Sequence, residues 1–451
     1  MTTLQFKVRN HRREVELFLL LLFLGIAKLA LFIVENATGF VIPTSGYIQI
    51  AILVSVIVGH FFIRAVASSA DPFIYPIAVF LNLLGIVMIH RLDIADHIRS
   101  QSSGAKVSIE APSQSTWLIL GVAAFGVILI LLRDHRQLQR YTFTAMVAGL
   151  VLLLLPLIPG LGATVNGARL WIRIGSQSFQ PAEFAKIVLP IFFAGYLARN
   201  RASMAAIKNR WLGIGIPRAR ELGPIALAWM LSILVLISQR DLGTSLLFFG
   251  LFVGLLYMAT GQRTWLVLGA LLFSVGATVA YFLFSHVRLR TTVWLDPFAY
   301  SSDEGYQLVQ ALYGFASGGI FGRGFGQGYS WLVPYAKSDF ILASFGEELG
   351  YAGLVAITLL YVFLVQRALR IALATRDDFG QLLSTGIGLV LGLQIFVVFG
   401  GVTRLIPLTG LTTPFLAAGG SALISNWIMI ALLLRISHTS ALLNAPSGDA
   451  Q

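Results

Sequence analysis

The sequence predicts an all-α, polytopic membrane protein, and three observations carry that prediction. Of 451 residues, 57% are hydrophobic. Only 12% are charged, about half the roughly 25% of a soluble domain, too little polar surface to cover a water-exposed fold. Apolar runs also recur at the length of about 20 residues that a helix needs to cross a bilayer.

About twelve candidate spans follow in order, at 15–36, 47–66, 72–90, 115–133, 141–160, 182–199, 222–239, 242–261, 264–285, 340–366, 379–403 and 412–436. Residues 1–14 form a basic tail with Lys7, Arg9, Arg12 and Arg13. The apolar run behind it is long enough to remain as a signal anchor. With both termini in the cytoplasm, inside loops hold roughly nineteen Lys or Arg and outside loops about eleven, as the positive-inside rule requires. The bias is clearest at Arg133 through Arg140 and in the loop Arg199 to Arg220, with Arg201, Lys208, Arg210 and Arg218. The longest loop, 286–339, then falls on the exported face. It is rich in Gly and aromatics, and a loop of that length in a compact protein is usually functional. Residues 437–451 read as a loose cytoplasmic tail. No internal repeat or low-complexity tract interrupts the chain.

The net charge of +12 raises nucleic-acid binding, which would gather Lys and Arg on one face of a soluble fold. Here the positive charge sits in short loops between apolar runs and reads as a topology signal, so no nucleic-acid partner is expected. There is no cysteine, which removes disulfides, thiolate metal sites and a Cys nucleophile.

Charge inside apolar segments is costly and therefore informative. Glu183 and Lys186 are three residues apart on one helix face, a geometry suited to an ion pair; a structural staple and a part in substrate handling both fit. Asp241 stands at a helix N-terminus, where a carboxylate can cap free N–H groups. Ser338-Asp339-Phe340 opens the tenth span, and Glu347-Glu348-Leu349-Gly350 follows. On a continuous helix Glu347 would lie about 12 Å deeper than Asp339, turned by roughly 80°. The run Gly318 to Gly328 superficially looks like a phosphate loop but lacks its Gly-Lys-Ser/Thr ending and strand–helix setting. Close backbone approach and tight turns over a substrate groove are the better use of those glycines. No His and carboxylate set has metal-ligand spacing. A divalent cation (Mg or Mn) shared between carboxylates and substrate phosphate stays open.

Taken in order, these segments resemble the SEDS (shape, elongation, division, sporulation) family of RodA/FtsW-like peptidoglycan glycosyltransferases. The likeness runs through Gly85-Ile86-Val87-Met88-Ile89-His90, Gly167-Ala168-Arg169-Leu170-Trp171, Gln180-Pro181-Ala182-Glu183 with Lys186, and Asp241-Leu242-Gly243-Thr244. It continues through Asp296-Pro297, Gly305-Tyr306-Gln307, Asp339-Phe340-Ile341, Glu347-Glu348-Leu349-Gly350, Pro407-Leu408-Thr409-Gly410, Pro414-Phe415 and Gly419-Gly420-Ser421. Each motif alone is weak; the ordered set is specific, and its 404–415 stretch is closer to RodA than FtsW. The chain departs from the pattern at Arg240, Val398 and Ala417-Ala418.

The resemblance implies a ten-helix core over 72–436, preceded by two additional helices within 15–71. It implies polymerisation of lipid II on the outer face of the cytoplasmic membrane, by an inverting transfer in support of cell elongation and shape. Asp339 matches the family's catalytic Asp and would serve as general base. Burial at the lipid boundary would raise its pKa toward working pH. Arg169, Arg288, Arg290, Arg323 and Lys337 are candidates to meet the leaving pyrophosphate. Glu183, Lys186, Asp241, Gln307 and Glu347 are assigned to the substrate cavity. The implied partner is a class B penicillin-binding protein transpeptidase. A lipid II flippase or other lipid transporter, or a non-catalytic cell-wall scaffold, are the alternatives from other classes.

Overall fold

The computed structural model describes residues 2–104, 108–165, 167–175, 177–205, 210–211, 214–215 and 219–444. Lys208, Arg218 and the tail beyond 444 lie outside the described residues. Among the described residues fourteen α-helices carry the fold: α1 (Thr2–Thr38), α2 (Ser45–Val66), α3 (Ile74–Ser103), α4 (Ala111–Leu131), α5 (Thr142–Leu154), α6 (Pro181–Ala205) and α7 (Ala219–Ser238). Then follow α8 (Leu242–Thr260), α9 (Thr264–Leu283), α10 (Ser285–Leu295), α11 (Tyr306–Gly318), α12 (Ile341–Ala374), α13 (Asp378–Val402) and α14 (Gly420–Leu443).

Eleven of the described helices are long and apolar enough to cross a bilayer, so the protein is a multi-pass membrane protein. The expected seventh span is α7, whose apolar stretch Gly223–Ser238 reaches only about 24 Å at 1.5 Å per residue. Burial separates the helices by role. In α3, 94% of the apolar window is buried inside the protein, whereas in α9 it is 6%. α3 is a packing axis, whereas α9 leaves most of its side chains uncovered.

The chain divides into two compact units. The first comprises Met1–Arg133, Thr292–Arg367 and Ile395–Gln451. In it α1 packs on α3, α2 on α4, and α4 on α14. The second comprises Asp134–Thr291 and Ala368–Gln394. There α6 packs on α5 and α8, and α8 on α7 and α9.

Several boundaries moved from expectation. The span expected at 412–436 begins only at Gly420, because Pro407, Gly410, Pro414 and Gly419 hold 403–419 out of helix; α14 in turn runs on to Leu443, through what read as loose tail. The long 286–339 segment contains α10 and α11. An all-α reading also missed two small sheets. β1 (Gly162–Val165), β2 (Ala168–Ile174) and β3 (Gln177–Phe179) form an antiparallel three-stranded sheet with Gly162 opposite Ile172 and Ile172 opposite Phe179. β4 (Arg210–Trp211) and β5 (Ile214–Gly215) make a two-stranded ribbon. The Asn166-Gly167 dipeptide between alternating segments was a legible hairpin signal.

Candidate active site

Within the first unit, the geometry is set by a break in α12. Gly350 has φ 67° and ψ −170°, so the ladder stops after one short segment, 341–349, and restarts at 351. A break at membrane depth must be closed by other protein groups, since lipid offers no hydrogen bonds. The glycine-rich run closes it. The N–H groups of Tyr351 and Ala352 donate to the carbonyls of Gly319 (3.0 Å) and Ile320 (2.9 Å). The carbonyls of Glu347 and Glu348 accept from Arg323 (3.0 Å) and Gly324 (2.9 Å). A Cβ at Gly350 would run into the backbone of Gly322 and Ile320, so only glycine fits. Close approach was expected of these glycines; the partner is the broken helix.

Asp339 stands in the turn just before the 341–349 segment and is half-buried. Two residues upstream, Lys337 binds Asp93 (2.7 Å) and Asp96 (2.8 Å) and the Ser108 carbonyl (3.3 Å). Burial alone would draw the Lys337 pKa down, but the Asp93 and Asp96 carboxylates override it and hold it above the ordinary lysine value. Its three N–H bonds all have protein partners, so its ammonium anchors the Asp339 turn. Asp93 also accepts from the backbone N–H groups of Glu110 (3.0 Å) and Ala111 (2.7 Å), capping α4 from α3. Beside it, burial pushes the Glu110 carboxyl up, against the pull of Lys337.

Opposite this turn runs the 403–419 loop. A Cβ on Gly410 would lie 3.9 Å from Asp339 Oδ2, so the carboxylate lies beside the Gly410 backbone. Three helices fix that loop. Asn82 donates to the Phe415 carbonyl (2.8 Å), Tyr361 to that of Pro414, and Gln114 bonds both Ala417 O (3.2 Å) and Gly419 N (3.1 Å). The Lys337 carbonyl accepts from Ala418 N (2.8 Å), joining the two loops directly.

Glu347, expected in the cavity, anchors the loop that flanks the glycine-rich run. Its buried carboxylate accepts from Tyr329 N (2.8 Å), Ser330 Oγ (2.8 Å) and Ser317 Oγ (3.3 Å). Three donors leave it committed to holding the glycine-rich loop. Glu348 does the same with Arg91 Nε (2.9 Å) and Gly326 N (3.0 Å). Gln307, on α11, donates to Pro334 O (3.4 Å) and steadies the approach to the Asp339 turn. Arg323 is exposed and lies over the Tyr329 ring at 5.3 Å.

The second unit holds the other candidates. Glu183 and Lys186 form a buried pair at 2.5 Å, and Lys186 also donates to Gln394 Oε1 (3.0 Å). Asp241 caps α8 by accepting from Thr244 N (2.9 Å). Its other oxygen, Oδ2, is buried with no hydrogen bond among the described residues. Burial pushes the Asp241 pKa up, the Thr244 bond and Arg290 pull it down, and Glu183 adds to the rise. Arg169 lies on β2 with its backbone N–H on Gln239 O (3.3 Å) and its Nε buried with no hydrogen bond among the described residues. Arg288 is exposed on α10 and Arg290 half-buried.

A family model described as "Cell cycle protein", covering FtsW, RodA and SpoVE, matches residues 71–442. The chain belongs to this family. It is 46% identical to "Peptidoglycan glycosyltransferase RodA" of Mycobacterium tuberculosis (strain H37Rv) over 95% of this chain and 91% of that protein. It is 32% identical to "Probable peptidoglycan glycosyltransferase FtsW" of Geobacter sp. (strain M18), over 81% and 96% respectively. A solved structure titled "Structural coordination of polymerization and crosslinking by a peptidoglycan synthase complex" shares the fold, with TM-score 0.66 and 24% identity over 82% of this chain and 98% of that one.

Sequence reasoning passed over Arg91, Asp93, Asn82 and Gln114, although charged residues in the apolar α3 run were a visible signal. Among the described residues no group of three or more His, Asp or Glu is arranged to hold a metal. Asp93 and Asp96 bind the Lys337 ammonium instead.

Proposed function

We propose that this peptidoglycan glycosyltransferase polymerises lipid II at the outer face of the cytoplasmic membrane, with Asp339 as general base. The acceptor's 4-hydroxyl attacks the donor's anomeric carbon and passes its proton to the Asp339 carboxylate. The bond from that carbon to the phosphate oxygen breaks, and lipid-linked pyrophosphate leaves with the electron pair. One displacement inverts an α-phosphate to a β-glycoside without an enzyme nucleophile. The observation that carries this reading is the setting of Asp339: half-buried, on a turn clamped by Lys337 and close to Gly410 of the 403–419 loop.

Arg169, Arg288, Arg290, Arg323 and Lys337 are the cationic candidates for the pyrophosphate. Glu183, Lys186 and Asp241 keep their assignment to substrate handling as part of the same proposal. The described residues offer no preformed cage for Mg or Mn; such an ion would arrive on the pyrophosphate and take one or two carboxylates here.

Both termini are assigned to the cytoplasm on the loop charge bias, which puts the 286–339 segment outside. A class B penicillin-binding protein is the proposed partner, supported by the related synthase complex in which polymerization and crosslinking are coordinated. The commitment of Glu347 and Glu348 to the glycine-rich loop favours this reading over a lipid transporter, whose buried acids would line a path.

Purified protein incubated with labelled lipid II, with and without the transpeptidase, should yield glycan ladders on a gel. Folded parent protein that moves lipid II between leaflets yet makes no polymer would overturn the proposal.

A further inference from the structure

The family match begins at residue 71, after α1 and α2, so these two helices lie outside the shared core. The M. tuberculosis relative nonetheless matches 95% of this chain, a share too large to leave both helices out. They are built into the first unit by contacts that lead toward Asp339.

The last turn of α1 meets two elements at once. Glu35 accepts from Ser45 Oγ at the start of α2 and lies 3.3 Å from His90 Nε2 on α3. On the neighbouring surface of the same turn sits Gly326 of the glycine-rich loop. A Cβ added there would come within 2.9 Å of Ala37 Cβ, 3.6 Å of Val34 O and 3.7 Å of Thr38 Cγ2. Gly326 has φ +83°, so the loop needs glycine at this contact for space and for backbone shape alike. Its N–H donates to Glu348 Oε2 (3.0 Å), while Glu348 Oε1 takes Arg91 (2.9 Å) and Arg91 reaches Gly328 O (2.8 Å). Arg91 adjoins His90 on α3, and Glu348 belongs to the helix segment that opens two residues after Asp339.

We propose that the last turn of α1 buttresses the glycine-rich loop, making Ala37 and Glu35 positioning residues for glycan polymerisation. The loop supplies the carbonyls and N–H groups that close the break at Gly350. Pressing it against Glu348 fixes the 341–349 segment, and with it the turn that carries Asp339. This support comes from helices that lie outside the family match. The inference rests on the reading of Asp339 as the base.

The test compares the parent with G326A, A37G, G326A/A37G and D339N, purified and assayed over a range of lipid II concentrations. G326A should lower kcat by about tenfold with KM little changed, since misplacement by about 1 Å can cost up to about 10²-fold. Removing the opposing methyl in G326A/A37G should recover at least about threefold, as the clash is relieved while the backbone strain remains. A double variant no faster than G326A alone would overturn the buttress. D339N at the parent rate would instead remove the base assignment, and the buttress would still stand or fall on the rescue ratio. Should G326A not fold, A37C/G326C provides a second measurement, because the parent has no cysteine. Mild oxidation in membranes should form an intramolecular disulfide, and its absence would refute the contact.

Discussion

Asp339 and Asp241 are the same residue type at nearly the same place, the entrance to a spanning helix, and the fold treats them differently. Asp241 is enclosed, 6% exposed, and gives one oxygen to the first turn of its own helix. Asp339 remains half-buried in a turn whose anchoring falls to its neighbours: Lys337 upstream, and Glu347 and Glu348 downstream. The lesson is that a carboxylate at a helix entrance can cap its own helix, as Asp241 does, or sit in a turn anchored by its neighbours, as Asp339 does.

The sharpest way to break that comparison is Asp339→Asn. Its rate on lipid II should fall by about 10²–10⁴-fold, the usual worth of a general base, with the melting temperature in detergent unchanged. Parent-rate glycan synthesis by this variant would end the assignment.

Removing an anchor should behave differently. Glu348→Ala strands Arg91, 2% exposed, without its partner, and breaking a buried pair from one side costs about 3–5 kcal/mol. A lowered melting temperature, with activity lost in proportion, is the expected result. An unchanged melting temperature would show that the loop holds without the pair.

At Asp241 the expected effect is on stability and smaller. Asp241→Ala should cost about 1 kcal/mol through the lost cap, and Asp241→Asn should restore it, because Asn caps equally well. Thermal unfolding of the two variants side by side decides this.

The smallest effect is at Asp377 in the second unit, bonded to His135 Nε2 (2.9 Å) and to Gly380 N (2.8 Å). Burial works against its charge, but the His135 and Gly380 bonds outweigh it and hold the pKa below the ordinary aspartate value. A depressed folded-state pKa stabilises above the unfolded value and is lost as pH falls through the folded one. Parent stability should therefore decline below about pH 4, and Asp377→Asn should flatten that decline. Parallel acid unfolding curves for both proteins would contradict it.

The sequence by itself determined the spans, their number to within one short helix, and the family. Those depend on composition over windows of about 20 residues and on ordered motifs, and both are local properties of the chain. It also singled out Asp339, the glycine-rich run and the Glu347-Glu348 pair as unusual. Only the tertiary structure decided what the glycine-rich run and the two glutamates hold together. For Glu347 and Lys337 it supplied the partners that a charge in an apolar setting needs. Their partners, Tyr329, Ser330, Asp93 and Asp96, come from elsewhere in the chain, and hydrogen bonding at that range leaves no periodic trace. The break at Gly350 was hidden for the same reason: its carbonyls and N–H groups are satisfied by a loop some thirty residues upstream, a pairing that exists only once the chain has folded.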